Sequence, residues 1–178
     1  LLLFIFLLTG IIPAQSQTCL TGQHFRTLGS AANVLTFYEP RMTQLSYDTA
    51  TNSLTFIHRA NPAVSGGSSG DYRYDFSSDG GTTWTNNIGV LNPTNATNGL
   101  GRYPQALNYH PVGAGTAATN NYIVYYGPTL SGTTWNGYVS GTRKLNGTGN
   151  TENYNQAGVT SNVVIPGGLC QGTSNTFW

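Results

Sequence analysis

Eight consecutive residues constrain this chain most: Ser77-Ser78-Asp79-Gly80-Gly81-Thr82-Thr83-Trp84. An aspartate placed like Asp79 accepts hydrogen bonds from backbone N–H groups of its own turn. Gly81 suits a backbone conformation that a side chain would penalise. Ser77 adds a second local hydrogen bond, and Trp84 offers a large apolar surface where the chain re-enters a strand. The five residues before the motif alternate. Tyr72, Tyr74 and Phe76 point to one side, Arg73 and Asp75 to the other, where the two charges are expected to pair. The expectation is strand, turn and strand, with Asp79 held by turn amides and Trp84 largely buried.

The remainder reads the same way. No stretch sustains a helical period. Strand-like runs recur at 34–38 (VLTFY), 53–58 (SLTFIH), 105–110 (QALNYH), 121–126 (NYIVYY), 138–145 and 162–165. Gly66-Gly67-Ser68-Ser69-Gly70, Asn92-Pro93 and Gly147-Thr148-Gly149-Asn150 punctuate them. Only 7% of residues are charged, yet 12% are aromatic and 38% hydrophobic, a balance opposite to that of disordered chains. Many short strands with glycine-rich turns imply an all-β sandwich, barrel or propeller.

The motif chooses among these. It fits Ser-x-Asp-x-Gly-x-Thr-Trp at each defining position, and so resembles the Asp-box, or BNR repeat, of sialidase-like β-propellers. That resemblance implies a structural role for Ser77, Asp79, Gly81 and Trp84, in the turn between the outer strands of a blade and away from the ligand face. Trp84, Trp135 and Trp178 stand 51 and 43 residues apart, close to the ~40–50 residues of a blade. Leu130-Ser131-Gly132-Thr133-Thr134-Trp135 looks like a box without its Asp. About three antiparallel blades are therefore expected over residues 17–178. Closed propellers have about four to eight, so the domain is expected to continue beyond this segment. A narrower resemblance, carried by Phe56-Ile57-His58-Arg59-Ala60-Asn61-Pro62, the motif strand, Gly101-Arg102-Tyr103-Pro104-Gln105-Ala106 and Tyr126-Gly127-Pro128, is to large exported bacterial propeller proteins that end in a type IX secretion sorting domain.

Leu1 to Leu8 form an apolar run, followed by Pro13-Ala14-Gln15-Ser16. This reads as the hydrophobic region and cleavage zone of a signal peptide at 1–16, cut before Gln17. The run is shorter than the ~20 residues of a spanning helix, so the mature form is expected to be secreted or surface-displayed without a membrane span. With no Met or basic region before Leu1, the chain is expected to begin inside its signal peptide. Cys19 and Cys170 are the two cysteines. In an exported protein they are candidates for a disulfide, although sequence alone leaves their pairing open.

The chemistry legible in the sequence is sparse. A formal charge of +1 with no basic run argues against nucleic acid as a partner. His24, His58 and His110 lack metal-ligand spacing, so neither metal nor other cofactor is expected. No nucleophile elbow or phosphate loop is present. The arginines available for a sialidase-type carboxylate site are Arg26, Arg41, Arg59, Arg73, Arg102 and Arg143, but the family's Phe-Arg-Ile-Pro pattern is missing. Among the carboxylates Glu39 and Glu152 are the least explained. The candidate ligand-face residues are His58, Arg59, Arg102 and Tyr103. Two functions follow: an exported, non-catalytic binding or adhesive module for a glycan or cell-surface ligand, or a glycan-active propeller enzyme whose catalytic residues lie mostly outside this segment.

Overall fold

The computed structural model describes residues 24–34, 36–37, 40–92, 99–155, 165–172 and 175–177. The signal-peptide reading at 1–16, Cys19, Glu39, residues 162–164 and Trp178 fall outside them.

The described residues form two antiparallel sheets, neither of them closed. Sheet A runs β1 (Leu45–Asp48), β2 (Ser53–Arg59), β3 (Tyr72–Ser77) and β4 (Thr85–Ile88), each strand paired with the next. A one-turn helix, α1 (Pro62–Ser65), sits in the β2–β3 connection. Sheet B repeats the plan with β6 (Gln105–Tyr109), β7 (Tyr122–Ser131), β8 (Thr134–Lys144) and β9 (Thr151–Asn155). The two-residue β5 (Leu100–Gly101) lies beside the far half of β7. No described helix is long and apolar enough to cross a membrane.

The all-β expectation is met, with two sheets among the described residues where about three were expected. The tryptophan spacing misleads because it does not track the sheet repeat: Trp84 precedes β4, whereas Trp135 lies near the start of β8. Leu130–Trp135 is the tight β7–β8 hairpin, with Gly132 at φ +58°. The counterpart of the β3–β4 turn is the β8–β9 turn. There Asn146 Oδ1 accepts from the Thr148 N–H (3.0 Å) and hydroxyl (2.7 Å). The predicted strand at 34–38 is not one at its described positions: Phe37 N–H donates to Val34 O across a turn (3.2 Å), and Val34 is 83% exposed. Apolar β-branched composition alone raised that expectation, and no neighbouring strand pairs with it. Sequence reading expected a strand after Trp84 but gave it no bounds, and it missed β1 (LSYD), the short β5 and β9 (TENYN), because edge strands need no apolar alternation.

Strand alternation and register settle which faces meet. Ile57 lies opposite Tyr74, Arg59 opposite Tyr72, and Ala106 opposite Tyr125. Ile57, Tyr72 and Tyr74 of sheet A pack with Ala106, Ile123, Tyr125 and Val139 of sheet B in one core, with Leu91 and Leu145. Both faces of β3 are mostly buried, since Gly29 and Ser30 bond Asp75 and Asn87 on the outer face of sheet A.

Of the polar contacts that join the sheets, two sets are buried deepest. Tyr72 reaches from sheet A into sheet B. Its hydroxyl donates to Arg102 O (2.8 Å) and accepts from Arg102 N–H (3.1 Å). Its ring fills a mould made by glycines: a Cβ at Gly101 would lie 2.4 Å from the ring, and one at Gly127 would lie 2.2 Å from its oxygen. Elsewhere Asn121 Nδ2 donates to Asn108 Oδ1 (2.9 Å), Thr51 Oγ1 (3.0 Å) and Asp48 Oδ2 (3.2 Å). Asn108 Nδ2 in turn donates to Ser53 Oγ (2.8 Å). Burial opposes the Asp48 charge, but the Thr51 and Asn121 donors outweigh it and hold its pKa below the ordinary value.

Candidate functional site

The β3–β4 turn is closed by its own side chains. Asp79 accepts from Thr83 N–H (2.9 and 3.1 Å) and from the hydroxyls of Thr83 (2.7 Å) and Ser77 (2.8 Å). Ser77 Oγ accepts from Gly81 N–H (2.8 Å). Gly80 and Gly81 hold φ of +68° and +91°, conformations that suit glycine. Trp84 departs from expectation. It is half-buried and folds back on the turn, its Nε1–H donating to Gly81 O (3.0 Å). It flanks an outermost strand, beside Leu54 on the face of sheet A turned away from the core, where no described strand covers it. The Thr83 and Ser77 donors pull the Asp79 pKa down to about 2, against an ordinary ~3.9. A depressed pKa means the turn's contribution is intact above ~3.9 and is lost as pH falls toward 2. Carboxyl-detected NMR is expected to give Asp79 a midpoint near 2, with the Thr83 amide resonance moving in step; an ordinary Asp79 titration would show that these bonds do not persist in solution.

The four candidate ligand-face residues divide. Arg59, Arg102 and Tyr103 come together where β2 ends and β5 leads into β6. Arg59 is 1% exposed, with Nη1 donating to Asn33 Oδ1 (2.6 Å) and Nη2 to Ser69 Oγ (3.4 Å). Burial, then the nearby Arg102 charge, lowers its pKa to about 10, so it stays cationic at neutral pH. Arg102 is half-buried and its Nη1 donates to Gly101 O (2.9 Å); burial lowers its pKa also. No described carboxylate is among the groups acting on either guanidinium. Tyr103 holds a left-handed φ of +46°, a conformation costing a non-glycine residue about 1–3 kcal/mol. Its ring lies 6.3 Å from that of Trp135, tilted by 36°. Trp135 was not picked out as a ligand-face residue, because in sequence it reads as part of a degenerate turn motif.

His58 sits apart from them, on the opposite face of β2. It is 2% exposed and Asp75 is 0% exposed, with Nε2 3.4 Å from Asp75 Oδ1. Nδ1 contacts Arg59 O at 2.8 Å. Gly29 seals the pair: its N–H donates to Asp75 Oδ2 (2.6 Å), and a Cβ there would lie 2.4 Å from His58 Nε2. The expected Arg73–Asp75 pairing is replaced by this arrangement. Asp75 also accepts from Asn87 N–H (2.7 Å), while Arg73 donates to the carbonyls of Asn87 (3.1 Å), Gly89 (3.1 Å) and Ser65 (2.9 Å). The register explains it, because His58 lies opposite Arg73 and next to Asp75 on the shared face. A substrate has no route to this acid–base pair.

Glu152 is exposed and accepts from Tyr154 OH (2.9 Å). Cys170 is exposed, while Cys19 lies outside the described residues, so the proposed disulfide has only one end in view. Among the described residues no three His, Cys, Asp or Glu side chains group as metal ligands.

The fold and this end define an all-β protein of two packed four-stranded meanders carrying an arginine–aromatic cluster at one edge. Compared with family models, curated proteins and solved structures, the chain matches none.

Proposed function

We propose that this chain is part of an exported Asp-box propeller that serves as a non-catalytic binding or adhesive module, with a glycan or cell-surface ligand meeting the Arg102–Tyr103–Trp135 end. The observation that carries the reading is Arg102: a half-buried guanidinium without a described carboxylate, beside a partly open Tyr–Trp pair. A planar cation next to aromatic faces suits a ligand with both oxygen acceptors and an apolar ring surface. The strained Tyr103 backbone is of the kind that clusters at binding sites. Two consecutive meanders, each with its side-chain-closed turn between third and fourth strands, support the propeller reading. So does the placing of the arginine end at the β2–β3 side, opposite those turns.

The test is a glycan array probed with the purified chain, followed by titration of any hit. Arg102→Ala and Trp135→Ala are each expected to weaken binding about tenfold, the scale of one charge-assisted or aromatic contact. Binding unchanged in both variants, or turnover of a glycan substrate by the chain, would overturn the proposal.

A further inference from the structure

The outer face of sheet B carries a groove of about 830 Å³ between strands β7–β9 and the stretch containing Pro166, Leu169 and Phe177. It shares no residue with the arginine end. Two observations define what it fits. Tyr126 and Tyr138 stack with centroids 5.3 Å apart and planes within 17°. The register places both on the face with Val124 and Ser140, away from the core. Both are half-buried, so the stack forms a firm aromatic wall still open to the groove. Opposite and along β8–β9 the lining turns polar without basic charge: Ser140, Thr142 and Asn153 present hydroxyl and amide groups.

We infer that this groove binds a neutral saccharide. An aromatic wall takes the apolar C–H face of a pyranose, while hydroxyls and an amide exchange hydrogen bonds with its equatorial rim. The volume lies within the ~300–1,000 Å³ of small-ligand sites. With no cation in the described lining, nothing pairs with the charge of an acidic sugar here, in contrast to the arginine end. The inference does not depend on a propeller, only on the Tyr126–Tyr138 stack and its polar rim.

The experiment is NMR titration of the whole chain with maltotriose, cellotriose and N-acetylchitotriose to about 10 mM, enough to reveal a ~1 mM Kd. Shifts are expected at Tyr126, Tyr138 and Asn153 for at least one of them. Tyr138→Ala is expected to weaken binding about tenfold, while Val64→Ala, at an exposed residue of α1 outside both sites, leaves it unchanged. Asn153 is exposed on the outermost strand, so Asn153→Ala should fold normally and weaken binding, which guards against a folding defect in Tyr138→Ala. No shift with any of the three sugars, or shifts that persist in both groove variants, would overturn the inference. Concentration-dependent self-association abolished by Tyr138→Ala, without sugar binding, would instead assign the face to packing against another sheet.

Discussion

Replacing Asp75 by alanine is expected to destabilise the chain by about 3–5 kcal/mol, the range for removing one member of a buried, hydrogen-bonded polar set. The carboxylate is fully buried and serves three neighbours at once: the Gly29 amide, the Asn87 amide and the His58 imidazole. Alanine would leave both half-buried N–H groups without this acceptor and open a void beneath Gly29. Asp75→Asn keeps one acceptor oxygen and should cost less. Gly29→Ala tests the same contact from the other side. Its methyl would fall within 2.8 Å of His58, Asp75 and Asn87 side-chain atoms, so a loss of about 1–3 kcal/mol is expected from overpacking. Urea unfolding monitored by tryptophan fluorescence measures all three. A loss below about 1 kcal/mol in Asp75→Ala, no more than a typical hydrogen bond contributes, would mean that the segment around Gly29 is not docked in solution.

Tyr72→Ala is expected to be comparably severe, about 3–5 kcal/mol, as for other large aromatic truncations in cores. The ring is 0% exposed and belongs to the core shared by both sheets. Tyr72→Phe separates the two contributions. It keeps the packing but leaves Arg102 O without its hydroxyl donor, while Arg102 N–H keeps Pro128 O (2.9 Å), so about 1–3 kcal/mol should be lost. Burial pushes the Tyr72 hydroxyl pKa up, which favours the protonated, donating form. Gly127→Ala should resemble Tyr72→Ala, since the added methyl would occupy the position of the hydroxyl. If Tyr72→Phe is neutral, apolar contact alone holds the sheets at this position.

The sequence was most legible where one residue does one local job. Ser77, Asp79 and Gly81 carry their turn within eight residues, and the alternation of Tyr72 to Phe76 placed that strand correctly. It was least legible where contacts span long separations. Asp75 is bonded to Gly29, 46 residues away, and nothing local to either reveals it; Arg73 was the nearer and more obvious partner. The value of Trp135 depends on Tyr103 arriving beside it from the β5–β6 connection. The groove on sheet B was invisible for the same reason, since Tyr126 and Tyr138 look like ordinary strand tyrosines until the hairpin brings them face to face.

The joins between the sheets have a consequence for how the molecule comes apart. An interface of hydrocarbon alone tolerates sliding, because apolar contact is non-directional. Here the Tyr72 hydroxyl pins one position and the Asn108–Asn121 amides pin another. Two directional fastenings fix both translation and rotation, as two screws do where one would act as a pivot. Neither meander can therefore tilt or loosen while the other stays native, and in native-state hydrogen exchange the amides of β2, β3, β6 and β7 should open together as a single unit.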